Sequence, residues 1–194
     1  MVPELILFAL LFGWVFGGKF GRLADAKIKN VWLIFVPLGL YLVSWAPPLI
    51  KLPWFLGTCA IIEKIALVVV AVSNIRLPGM KIALAGVVLN LIALSVNGGM
   101  MPATAQAVAA AFGADFLEKT RTAAHVRSAI MNASTELGFL CDIVVARRPF
   151  VAVPAVYSIG DLIMSAGIFV AIIGLMRTPL PGEKKDRQVG DNAG

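Results

Sequence analysis

Residues 158–177 read SIGDLIMSAGIFVAIIGLMR, a run in which Asp161 is the only charge before Arg177. About 20 apolar residues are needed to cross the hydrocarbon of a bilayer, so this stretch has the length and composition of a transmembrane helix. A carboxylate at the mouth of such a helix is costly unless it faces protein or trapped water, and by default it marks a functional site. Asp142, in GFLCDIVVA, has equally apolar company. Across the 194 residues hydrophobic types make up 59% and charged types 14%. That balance belongs to multi-pass membrane proteins rather than to soluble domains.

Working back from the last segment, four more apolar stretches predict an all-α membrane bundle of about five crossings. The first, from about Pro3 to Gly18, is short, and Gly13, Gly17 and Gly18 offer close backbone approach to a neighbouring helix. With Lys19 and Arg22 after its apolar stretch and no basic residue before it, it reads as an uncleaved crossing rather than a signal peptide. The second runs from Val31 to about Ala46 and ends at Pro47-Pro48, where the chain should turn. The third, Pro53 to about Ile75, carries Glu63 and Lys64 near its middle, and the fourth covers Met80 to Val96. Between the fourth and fifth lies one long connection, Asn97 to Tyr157, too polar for a span yet rich in alanine. It reads as interfacial or partly re-entrant helices, with Ala103 to about Leu117 helical and Phe112 and Phe116 on one face. Residues 1–178 form a single domain on this reading, and 179–194 form a charged, disordered cytoplasmic tail.

The net charge of +6 lies mostly between apolar segments, which is juxtamembrane charge and not a nucleic-acid surface. Lys19, Arg22, Lys27 and Lys29, then Arg76 and Lys81, then Arg177, Lys184, Lys185 and Arg187 fall on one side of the predicted bundle. Lys51 and five residues of the long connection fall on the other. The positive-inside rule makes the richer side cytoplasmic, with the N-terminus and the long connection outside. Glu63 and Lys64, adjacent on a helix, point in different directions and should face separate partners inside the bundle.

On this topology Asn97, Asp142 and Asp161 come to similar membrane depth. Two carboxylates held together cannot both ionise easily, so one keeps a proton, giving an acid and a base able to activate water. Helix capping is the ordinary alternative for Asp161, and a solvated loop position for Asp142. Arg147 and Arg148 are candidates for holding an anionic substrate or lipid head groups. The turn Asn97-Gly98-Gly99 reads as a tight exit from a helix, since glycine takes positive φ without cost. His125, the only histidine, sits among Arg121, Arg127 and alanines and reads as solvated. Cys59 and Cys141 suggest neither a disulfide framework nor a metal site, and no cofactor motif occurs.

Asn97-Gly98-Gly99-Met100-Met101-Pro102, Leu137-Gly138 with Asp142, and Tyr157-Ser158-Ile159-Gly160-Asp161 ahead of a last crossing resemble a bacterial family of small multi-pass membrane proteins. That family, 5317, is known only as a domain of unknown function, so the resemblance implies a fold and a bacterial inner-membrane location but no activity. Gly138-Phe139-Leu140-Cys141-Asp142 and the stretch ending at Asp161 are also similar, over about forty residues, to the two aspartate motifs of the lipoprotein signal peptidases. Ser158 stands where those enzymes have asparagine, and their G-N-x-x-D-R motif is missing. That resemblance implies an aspartyl peptidase with Asp142 and Asp161 catalytic. A small carrier or lipid-binding protein using Glu63, Lys64 and Asn90, or a non-catalytic subunit, are the other classes expected. The expected partners are the lipid bilayer and a membrane-protein or lipid substrate.

Overall fold

The computed structural model describes residues 3–44, 53–122, 130–148 and 151–178. Over these the chain is mostly helical: α1 Pro3–Val15, α2 Phe20–Ala24, α3 Phe35–Ser44, α4 Pro53–Ser73, α5 Met80–Val96, α6 Ala105–Phe112, α7 Ala114–Thr122 and α8 Ile159–Arg177. A single 3-10 turn, Val31–Ile34, leads into α3, and another, Gly138–Leu140, precedes the strand β1, Asp142–Ala146. Of these helices, α4 and α8 are long and apolar enough to cross a membrane, whereas α1, α3 and α5 are shorter apolar helices. The bounds of α4, α5 and α8 agree with the sequence reading to within two residues.

Helices pack side by side in the order α1, α8, α5, α4, α3, and the contact of α5 with α8 is the most extensive. Small residues produce that contact. A side chain on Gly86 would meet the Gly160 carbonyl at 2.5 Å, and one on Gly160 would run into Asn90. Further along, Gly167 lies against Ala83 and Gly174 against Pro78, so the two helices run antiparallel with their backbones touching. Such backbone approach, together with buried polar side chains, is how helices associate where no hydrophobic force drives them together. Gly13 and Gly18 let α1 close on the Met176 side chain, whereas Gly17, expected to do likewise, has open space around it.

The long connection departs from the expected run of helices. It contains an antiparallel hairpin, β1 with β2 (Ala155–Ser158), so the helical chain the sequence predicts carries one small sheet that the sequence did not predict. The residues responsible are the β-branched run Ile143-Val144-Val145 and the β-branched and aromatic pair Val156-Tyr157, which favour extended backbone once a partner strand is in place. Ala103, just past the glycine turn, bridges both Ile130 and Asp142 and fixes the connection to the bundle. The predicted helix over Ala103 to about Leu117 exists but is split between α6 and α7 at Gly113, which sits at φ +95°. Thr104 caps its start by accepting from the Ala107 amide at 3.1 Å. Phe112 and Phe116 meet with ring centroids 4.8 Å apart, both half exposed.

The predicted basic loops converge on one end of the bundle. The Lys19 amide donates to the Met176 carbonyl at 2.9 Å, and Arg22 donates to the Arg177 carbonyl at 3.1 Å. The Lys29 amide donates to Asn74 Oδ1 at 2.8 Å, which ties the first loop to the α4–α5 turn. At the opposite end the Ala152 amide donates to Glu4 Oε1 at 2.8 Å. The tail, His125 and Pro47-Pro48 lie outside the described residues.

Candidate functional site

The start of α8 is built by its own sequence. Ser158 is the N-cap: its hydroxyl accepts from the Asp161 amide at 2.9 Å, while Asp161 Oδ2 accepts from the Ser158 amide at 3.3 Å. This is a reciprocal capping box that satisfies two amides the helix cannot bond internally. The capping alternative for Asp161 is therefore realised in modified form, with Ser158 as the cap and Asp161 one turn inside. The S-x-x-D spacing was the signal for it.

Asn90, on the facing surface of α5, completes the cluster. It donates from Nδ2 to Asp161 Oδ1 at 2.8 Å and accepts from the Ser158 hydroxyl at 2.7 Å. Asn90 is 1% exposed and Ser158 fully buried, so these bonds have no water to replace them. Nothing local in the sequence pairs Asn90 with Asp161, 71 positions away.

Hairpin register brings in the second aspartate. Asp142 pairs with Ser158 across the two strands, and a bulge follows between Asp142 and Val144. Bulges re-aim side chains next to sites. The Asp142 amide donates to the Pro102 carbonyl at 2.9 Å, and its own carbonyl accepts from the Thr104 amide at 3.2 Å. The chain thus doubles back through strand pairing.

Asp142 and Asp161 line one cavity of about 200 Å³, together with Glu63, Lys64, Asn90 and Gly99. Gly99 belongs there because it takes φ +82° with its backbone against Gly57 of α4, an arrangement no side chain at either position would allow. Glu63 and Lys64 were expected to find separate partners. Instead the Lys64 ammonium bonds Glu63 Oε1 at 3.1 Å, and both carry their charge to the cavity wall. The helix allows this because two long, flexible side chains can bend towards each other along the wall.

Burial pushes the Asp142 carboxyl from 3.8 up to about 7; the charge of Asp161 adds to the rise and the Lys64 ammonium opposes it. The Cys141 thiol beside it is raised, by burial and by the Asp142 charge.

The remaining candidates fall elsewhere. Asn97 clasps the connection to the end of α5: its Nδ2 donates to the Ala93 and Glu136 carbonyls at 2.8 and 2.9 Å, and its Oδ1 accepts from the Glu136 amide. It does not line the cavity. Arg147 and Arg148 are exposed at the end of β1, also off the cavity. Among the described residues no three His, Cys, Asp or Glu side chains cluster as metal ligands.

Comparison with known proteins adds kinship rather than activity. An uncharacterized protein of Thermotoga maritima is 29% identical over 102 residues, which are 53% of this chain and 54% of that protein. The chain thus spans about half the length of this curated relative. No solved structure matches. The resemblance to lipoprotein signal peptidases finds no support in these comparisons. A family model covers residues 25–173, which include every residue on the cavity wall. The chain belongs to this family, the family of unknown function DUF5317.

Proposed function

We propose that the protein is a multi-pass membrane protein of about five crossings, N-terminus outside and C-terminus cytoplasmic, whose outward-facing cavity binds a small organic cation. The observation that carries this reading is the charge balance of the cavity. Lys64 is spent on Glu63, so Asp142 and Asp161 remain as excess negative charge around about 200 Å³. Pockets for drug-sized ligands run from roughly 300 to 1,000 Å³, so the occupant here is smaller. An ammonium or guanidinium group suits two carboxylates and an amide, and an anion would meet repulsion. The gathering of the basic loops at the far end of the bundle supports the orientation. The bilayer is the partner this reading requires.

Titration calorimetry of the purified protein with methylammonium and guanidinium at pH 8 tests the reading. Both bind to the parent, and Asp142→Asn reduces the affinity about tenfold or more, a typical loss for one charge-assisted bond. Absence of any binding by either cation removes the proposal.

A second reading, an aspartyl hydrolase, is favoured by one observation: a carboxyl titrating at about 7 shares its cavity with a second carboxylate. Such a pair could supply acid and base to one water. Against it, both Asp161 oxygens already accept protein bonds. Peptide cleavage lost in both Asp142→Asn and Asp161→Asn would favour this reading over binding.

A further inference from the structure

At the end of the bundle opposite the cavity, the turn joining α4 to α5 forms an open depression of about 620 Å³. Its floor and rim are Ile75, Leu77, Pro78 and Ile82, and Arg76 and Lys81 stand over it. Both cations are exposed, and among the described residues neither has a hydrogen-bond or ion-pair partner. Two other cations of the bundle are engaged: Arg22 closes the end of α8 by donating to the Arg177 carbonyl, and Lys64 is paired with Glu63. Ile82 at the start of α5 is 44% exposed and Val72 near the end of α4 is 53% exposed, so apolar surface lies open on both helices next to the turn.

Two unengaged cations above an apolar rim, with apolar surface open beside it on both helices, match the two halves of an amphiphile. We propose that the Arg76–Lys81 depression binds the phosphate group of an anionic phospholipid, whose first acyl carbons lie along Ile82 and Val72. Guanidinium supplies a planar fork to phosphate oxygens and ammonium supplies a mobile point charge. The apolar rim selects a lipid over free phosphate, since an inorganic ion gains nothing from Ile75, Pro78 or Ile82. The site is independent of the acidic cavity and of whatever that cavity binds.

The test uses the full chain purified in a neutral detergent and titrated with short-chain phosphatidylglycerol, phosphatidylcholine and inorganic phosphate, with binding read by native mass spectrometry. The parent binds phosphatidylglycerol in preference to phosphatidylcholine. In the double variant Arg76→Gln, Lys81→Gln the affinity for phosphatidylglycerol falls about thirtyfold, roughly fivefold for each cation near an anionic surface. Phosphatidylcholine binding stays as it was. Arg147→Gln with Arg148→Gln, at the other end of the bundle, leaves phosphatidylglycerol binding unchanged. Because all four positions are exposed, both double variants fold, as their circular dichroism will show. Equal phosphatidylglycerol affinity in the Arg76, Lys81 variant and the parent overturns the proposal. So does an equal loss in the Arg147, Arg148 variant, which would mean diffuse charge attraction. Displacement of the lipid by inorganic phosphate at matching concentration would show a free-phosphate site and overturn the lipid assignment.

Discussion

Replacing Asn90 by leucine, of similar size, removes the one side chain that joins α5 to the head of α8 by hydrogen bonds. Two groups are left without partners: the Ser158 hydroxyl, whose proton now goes to Asn90 Oδ1 at 2.7 Å, and Asp161 Oδ1, which accepts at 2.8 Å. Leaving a buried polar group unsatisfied costs about 1–3 kcal/mol. Interhelical hydrogen bonds in membranes have averaged only about 0.6 kcal/mol, because the unfolded chain in lipid also finds partners. Asn90 is 1% exposed and Ser158 fully buried, whereas Asp161 also faces the cavity and can recover a water there. The Ser158 loss therefore counts nearly in full and the Asp161 loss in part, for a total of about 2–3 kcal/mol. In a chain of this size that is a fall in melting temperature of roughly 4–12 °C. Asp161→Asn provides the contrast. The new side chain can keep its oxygen towards the Asn90 amide, which retains both Asn90 bonds and gives up only the 3.3 Å bond from the Ser158 amide. The network then persists without its charge, at a cost of about 1 kcal/mol. Thermal unfolding of purified variants in one detergent at one pH measures both. A melting temperature for Asn90→Leu within 1 °C of the parent, or a larger fall for Asp161→Asn than for Asn90→Leu, would refute this account of how the two helices are joined.

Asp142→Asn changes the pH dependence. A folded-state value of about 7 against 3.8 means the protonated acid stabilises the fold below about 4, and that contribution is lost as the pH rises through 7. The variant is then more stable than the parent at pH 8, by at most about 4 kcal/mol, while the two converge near pH 4; unfolding midpoints from pH 4 to 8 that fall in parallel would contradict it. Lys64→Met removes a cation that opposes the rise, so the Asp142 midpoint moves further up, visible in the carboxyl region of infrared difference spectra. Gly86→Ala gains about 1 kcal/mol of helix propensity, yet its methyl would lie 2.5 Å from the Gly160 carbonyl. Forcing the backbones apart costs about 1–3 kcal/mol and more at this separation, so net destabilisation follows, read from the same melting curves. Single cysteines at Lys119 and at Lys27 report orientation in intact cells: the first labels from outside and the second does not, and the reverse pattern inverts the proposed topology.

The apolar lengths ahead of Arg76, Asn97 and Arg177 specified α4, α5 and α8 nearly to the residue, because a long, mostly apolar run satisfies its backbone most cheaply as a helix, with every amide bonded inside its own segment. The glycine turn at Gly98-Gly99 and the gathering of basic loops at one end were legible for equally local reasons. Composition alone could not fix the hairpin. Its β-branched residues also suit a buried helix, and only pairing with a second strand decides between the two. Nor could spacing show that Glu63 and Lys64 pair, that Asn97 is a clasp, or that Asn90 meets Asp161. Those outcomes depend on which faces touch, and the touching follows from Gly86, Gly160 and Gly167 letting α5 and α8 approach backbone to backbone. Sequence placed two carboxylates in costly surroundings; the strand register of Asp142 with Ser158 and the approach of α5 to α8 put both on the wall of one cavity.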